Sequence, residues 1–259
     1  MLQTDGNWGK KNSAVASLEH KKRTPWGFKY LCLSIIDDIE IVLGVLPLWP
    51  LSDKAKVLDE LLIMVKNKVK IRKIRLGELL MNRGFEYNKT LRVLEAHKIS
   101  ALFPVKKNQR VKRLIADFHA GKNIGLMGYE YQIKDPVPFT LFFTPVPEKK
   151  LPKNPEIHDR YHAWGATIPR IGIKDREQLA ESYRGRWQIE VDFDVIKNEF
   201  LIKTNSGSGA VRLFFFLLAV FLFNIWYMLR SIIGELTVEC WREYFEEDLL
   251  YHYRDLDPG

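Results

Sequence analysis

Apolar residues recur along this chain with two periods, and the changes between them mark its elements. Residues 28–48, FKYLCLSIIDDIEIVLGVLPL, form two apolar, β-branched runs around Asp37 and Asp38. They predict a hairpin turning near 37–39, with both aspartates as turn residues. From Ser52 the period lengthens: Leu58, Leu61, Leu62 and Val65 fall at helical spacing, with Ser52 as the cap. Leu91 and Leu94 predict a helix over 88–98, and SALFPV at 100–105 reads as a strand. Two strand-like runs, IGLMGYEYQI and FTLFFTPVP, follow between 124 and 169, broken by Asp135 and Pro136 and by a Pro/Lys-rich loop at 145–155. AWGATIPR at 163–170 reads as a last core strand that leads through KDREQLAE into another helix. Residues 1–27 are polar and rich in Gly and Lys, and read as loop.

That next helix carries the most informative stretch, YRGRWQIEVDFDVIK at 183–197. At about 100° per residue, Tyr183, Glu190 and Lys197 drift by only about 40° over two heptads, and Arg186 lies about 60° to one side. Ile189, Phe193, Ile196 and Phe200 form a separate apolar stripe suited to packing on a core. One face therefore offers a carboxylate between cations. Glutamate is a hard oxygen ligand for Mg²⁺, and Arg, Lys and Tyr at these offsets can hold phosphate oxygens. A solvated face of ordinary salt-bridge pairs fits the same spacing.

Tyr183, Arg186, Glu190 and Lys197 also reproduce, at every gap, the Y(2)R(3)E(6)K signature of prokaryotic insertion-sequence transposases of the DDE type, which the chain resembles; Trp187 and Ile189 are similar to that family too. The resemblance implies an α/β fold: a ribonuclease-H-like mixed sheet flanked by helices, with a β-rich insertion before the helix carrying Glu190. It implies that Glu190 is the third acidic metal ligand and that Tyr183, Arg186 and Lys197 contact the DNA end. Relatives read D-R-G-F where this chain has Asn82, Arg83, Gly84 and Phe85, so Asn82 stands at the second metal-ligand position. An amide oxygen can touch a metal but brings no negative charge. For the first ligand only Asp5 is available, with four residues before it. A central strand runs to about five or six residues, so the amino-terminal strand is expected to be incomplete. Lys106, Lys107 and Arg110, in KKNQRVKR at 106–113, resemble the family's continuation after the preceding strand and are further DNA-binding candidates, with a solvated helix start as the alternative.

Three parts follow from this resemblance: residues 1–114 as the first part of the ribonuclease-H-like domain, 115–170 as the insertion and 171–259 as the second part. The implied chemistry is strand cleavage and transfer at transposon ends, with two Mg²⁺ or Mn²⁺ ions as cofactors. The implied partners are double-stranded DNA, as transposon ends and target, and a second copy in a synaptic complex; the implied location is cytoplasmic, with no membrane. Asn82 and the short first strand lead to the expectation of impaired catalysis. A non-catalytic DNA-binding remnant or domesticated form, and a small membrane-anchored protein, are the alternatives.

Composition bears on these readings. With 259 residues, 46% of them hydrophobic, the chain can bury a sizeable core and is not of the disordered class. Residues 235–257 hold eight acidic residues against Arg242 and Arg254, a net charge of −6 that leaves about +14 for the rest of a +8 chain. That surplus favours a polyanionic partner without naming one. The basic run 66–75 reads either as a solvated edge or as a DNA-facing rim. Two cysteines, Cys32 and Cys240, make no disulfide framework or metal-ligand spacing, so a reducing compartment is expected, and no export signal opens the chain. His158 and His162 have the spacing of zinc ligands on one helix face but no third ligand in register. Between Arg212 and Arg230 every residue but Asn224 is apolar, a run of 17 that as a helix spans roughly 26 Å. It brushes the lower limit for a bilayer. The R-L-F-x-F-L-L-A pattern before N-x-W resembles the family's, and a buried core helix is the expectation. The acidic tail reads as an amphipathic surface helix.

Overall fold

The computed structural model describes residues 2–5, 16–17, 26–35, 40–71, 76–82, 85, 87–130, 136–168 and 170–254. In chain order the elements are β1 (Leu2–Asp5), β2 (Ala16–Ser17), β3 (Trp26–Ile35), β4 (Ile41–Leu48), α1 (Lys54–Ile71), β5 (Glu78–Leu80), α2 (Tyr87–Ala96), β6 (Ser100–Pro104), α3 (Gln109–His119), β7 (Leu126–Tyr129), β8 (Phe139–Pro145), β9 (Tyr161–Ala166), α4 (Asp175–Gly185), α5 (Trp187–Val195), α6 (Gly209–Ile233) and α7 (Val238–Arg254). Two compact units result, residues 51–187 and residues 2–50 with 188–259. The architecture is α/β, and its mixed five-stranded sheet flanked by helices is compatible with a ribonuclease-H-like fold.

The five-stranded sheet belongs to residues 51–187 and has the order β5-β6-β9-β8-β7. β5 runs parallel to β6, and the other pairs are antiparallel. The β-rich stretch expected as an insertion thus supplies β7, β8 and β9 to the same sheet as β5 and β6. In β9, Gly165 is needed for close packing: a Cβ there would meet Phe103 at 2.4 Å and Phe139 at 2.9 Å. Helix α1 buries Leu58, Leu61, Leu62 and Val65 as their spacing predicts. The Asp53 carboxylate, rather than Ser52, accepts the Ala55 N–H at 3.0 Å, because the helix starts at Lys54 and leaves Asp53 in the cap position. His158 lies in a 3₁₀ turn (Ile157–Arg160) and His162 on β9, so the two share no helix face.

In the other unit β3 pairs antiparallel with β1, β2 and β4, and the β3–β4 pair is the predicted hairpin. Of the stretch 1–27 read as loop, residues 2–5, 16–17 and 26–27 lie in strands; residues 6–15 and 18–25, with Asp37, Asp38 and Arg72, Lys73 and Arg75 of the basic run, lie outside the described residues. β1 is four residues long and ends on Asp5, opposite Gly27 of β3. The hairpin packs on α5 and α6 through Phe28, Tyr30, Val42, Val45, Phe193, Phe216 and Phe223. Tyr30 and Phe216 stack with centroids 4.2 Å apart.

α6 corrects one expectation in part. It is long and apolar enough to cross a membrane, but it buries Phe216, Ala219, Val220, Phe223 and Trp226 in this core. Its other face is exposed, with Phe214 at 61%, Phe221 at 59% and Ile232 at 78%. The helix is therefore buried along one face only, the one the sheet covers. Asn224, the polar exception in the run, grips the backbone of Val42 from both sides: its Oδ1 accepts the Val42 N–H at 3.0 Å and its Nδ2 donates to the Val42 carbonyl at 2.9 Å. Replacing Asn224 by Leu leaves both buried backbone groups of Val42 unpaired and should lower unfolding stability by about 2–3 kcal/mol, read as a lower urea midpoint at unchanged slope.

Candidate functional site

The four signature residues do not share one exposed stripe. α4 stops at Gly185, α5 starts at Trp187, and a π turn (Ile196–Phe200) follows α5. A π turn holds more residues than an α turn, so the angles of an uninterrupted α-helix no longer apply at Lys197. The apolar stripe survives, with Phe193, Ile196 and Phe200 buried. Glu190 is exposed on α5, and Lys197 sits in the π turn 3.5 Å from the Asp194 carboxylate. Trp187 is 64% exposed.

Tyr183 differs in its surroundings. It is buried, packed among Leu102, Phe142, Trp164, Ala166 and Ala180. Its ring lies 4.8 Å from that of Trp164, and its hydroxyl donates to the Met81 carbonyl at 2.8 Å. The Arg186 guanidinium lies over the same ring at 5.4 Å. Tyr183 thus connects α4 to the end of β5, and its ring completes a core that Trp164 of β9 and Leu102 of β6 begin.

Asn82 directly follows that connection. β5 has only three residues and pairs with β6. The Met81 N–H extends the pairing by donating to the Leu102 carbonyl at 3.0 Å. Both backbone groups of Met81 are therefore engaged, and Asn82 emerges half-buried from a fixed strand end. Arg83 and Gly84 lie outside the described residues, as does the side chain of Asp5. Asn82, Tyr183 and Arg186 belong to one unit, and Asp5, Glu190 and Lys197 to the other.

The basic segment divides by role. Asn108 caps α3 by accepting the Val111 N–H at 2.9 Å. Lys107 donates to the His158 carbonyl at 2.7 Å. Arg110 lies 4.6 Å over the Tyr129 ring and donates to the Glu130 carbonyl at 3.2 Å. These two cations thus bond to neighbouring loops; Lys106 and Arg110 are exposed and Lys107 is half-buried.

A family model for the transposase DDE domain matches residues 53–225, most of the chain. The chain belongs to that family. No curated protein matches it. DDE transposase domains generally use divalent metal ions, and their general partner is DNA. Among the described residues no three His, Cys, Asp or Glu side chains gather where they could hold a metal. Asn82, half-buried after β5, offers a neutral amide oxygen, and Glu190, exposed on α5, offers a carboxylate; an amide oxygen can touch a divalent ion but brings no negative charge to it.

One feature of this DDE domain was missed in the sequence. Asp192 is buried on α5, hydrogen-bonded to Glu40, and Gln188 donates to it at 3.4 Å. The signal was present: Asp192 stands three residues after Ile189 and four before Ile196, on the apolar stripe. Burial, and then the hydrogen bond and charge of Glu40, push its carboxyl from 3.8 up to about 7. The folded chain thus keeps a proton that the unfolded chain releases above 3.8. Stability from this group falls as pH rises from that value and stops falling above about 7. Asp192→Asn should flatten the decline of the thermal midpoint between about pH 5 and about pH 8, and should make the variant the more stable chain at the upper end. A midpoint that declines equally in both proteins would show that Asp192 is not held protonated.

Proposed function

We propose that this chain is a DDE transposase relative that binds transposon ends in double-stranded DNA and whose strand cleavage and transfer are impaired. The family match supports the first part, and Asn82 supports the second. The observation that carries the reading is the hydrogen bond from Tyr183 to Met81: within one unit it joins the helix bearing Arg186 to the strand end bearing Asn82. The resemblance puts the second metal ligand at Asn82 and a DNA contact at Arg186.

In this reading Glu190 and Asp5 supply carboxylates to metal and Asn82 an amide oxygen. Arg186, Lys197, Lys106, Lys107 and Arg110 hold phosphates. Mg²⁺ or Mn²⁺, when bound, activates the attacking oxygen and stabilises the leaving one. A second copy of the chain in a synaptic complex and a cytoplasmic location belong to the same reading. The three-part division of the sequence is part of the proposal, with 115–170 as an insertion that contributes strands to the sheet. Asn82 also favours a second reading, a DNA-binding remnant without catalysis.

The test is Mn²⁺-dependent cleavage of a labelled transposon-end duplex. The unmodified chain is expected to bind the duplex and cleave it slowly or not at all. Asn82→Asp should raise cleavage by about tenfold or more by restoring ligand charge, and adding Glu190→Gln should return it to background. Efficient cleavage by the unmodified chain, lost on Glu190→Gln, refutes the impairment. Salt-sensitive binding with no gain from Asn82→Asp favours the remnant, and no binding at all refutes both readings.

A further inference from the structure

Tyr183 falls at a position where the signature implies a DNA contact, yet its surroundings assign it other work. A phenol carries one donatable proton, and a phosphodiester anion only accepts. The Tyr183 proton is already given to the buried Met81 carbonyl at 2.8 Å. The hydroxyl cannot donate to a phosphate without giving up that bond. The acceptor is also well placed to matter. The Met81 carbonyl and the Asn82 N–H belong to one planar peptide unit, so holding the oxygen orients the plane from which Asn82 begins. From the other side of the same residue, the Met81 N–H is held by Leu102 at 3.0 Å. The ring has a separate use, as the surface beneath the Arg186 guanidinium at 5.4 Å.

We propose that Tyr183 is a positioning residue: its hydroxyl fixes the strand end that presents Asn82, its ring seats Arg186, and it does not itself touch DNA. This rests on the DNA-end reading for the role of Arg186 but not for the role of the hydroxyl. The two parts separate on substitution. Tyr183→Phe keeps the ring and removes the proton, whereas Tyr183→Leu removes both.

The experiment compares the full-length chain with both variants in two measurements: binding of a labelled double-stranded oligonucleotide across a salt series, and amide hydrogen exchange over residues 78–82 and 100–104. The Phe variant should bind the duplex within about twofold of the unmodified chain and with the same salt slope. Its amides at the β5–β6 pairing should exchange about tenfold faster or more as the strand end opens locally. The Leu variant should lose about tenfold in affinity, with the salt slope reduced by about one, as expected for one displaced arginine. Arg186→Ala should reproduce that slope change. Thermal midpoints identify any variant that fails to fold, and the conservative Phe variant carries the test if Leu does. Duplex affinity falling as far in Phe as in Leu would overturn the proposal by placing the hydroxyl on DNA, and unchanged exchange in Phe would overturn the strut. If the unmodified chain fails to bind the duplex, the DNA reading and the ring's role fall together, and the exchange comparison still decides the hydroxyl's role.

Discussion

The arrangement of residues 51–187 depends on a backbone carbonyl that has no strand to pair with. β5 is only three residues long and, among the described residues, pairs on one side alone. Its continuation, Met81, is 2% exposed, so an unpaired carbonyl there would cost roughly 1–3 kcal/mol, more than a typical hydrogen bond contributes net. The Tyr183 hydroxyl removes that penalty across 102 residues of chain. Sites that hold metals or phosphates need side chains placed to within about 0.5 Å, and a three-residue edge strand cannot supply that by pairing alone. The cost of burying a polar group is thus turned into rigidity at the strand end that presents Asn82.

The same reasoning explains which parts of the sequence were legible. The hairpin of β3 and β4 and the helices α1 and α2 follow from periodicity, because each buries one face and the period marks that face. The burial of Tyr183 was not legible because its partners, Trp164 and Met81, are remote in sequence, and no local spacing records them. The stripe through Tyr183, Glu190 and Lys197 assumed an unbroken α-helix. The stop at Gly185 and the π turn at 196–200 depend on packing that single-helix geometry does not contain. Asp192 was legible in principle, since a carboxylate on an apolar stripe is a conflict that only a partner such as Glu40 or Gln188 resolves.

Charge was the least transferable signal. Lys107 and Arg110 looked like part of a nucleic-acid surface because they are basic and close together. Yet each gives a hydrogen bond to a backbone carbonyl, and Arg110 also lies over the Tyr129 ring. Long cationic side chains do this readily, since their stems pack on apolar surface while the head finds an acceptor. A count of basic residues therefore does not separate cations that bind phosphate from those that pack, and Arg186 differs from Arg110 in that the ring beneath it, Tyr183, also holds the Met81 carbonyl.

α6 presents the opposite problem, since hydropathy alone treats a core helix and a membrane span alike. What separates them is the treatment of the polar residue. In lipid, the side chain of Asn224 needs partners supplied from within the bilayer. Here its amide satisfies a strand backbone, donating and accepting at Val42 as a neighbouring strand would. That use requires a sheet alongside the helix, and β4 provides it, with Tyr30 of β3 stacked on Phe216 nearby. An apolar residue at 224 would make the run more hydrophobic and the fold less stable, because the lost partner belongs to the strand rather than to the helix. The exposed face carrying Phe214 and Phe221 leaves this conclusion unchanged, since it lies away from the sheet and takes no part in holding β4.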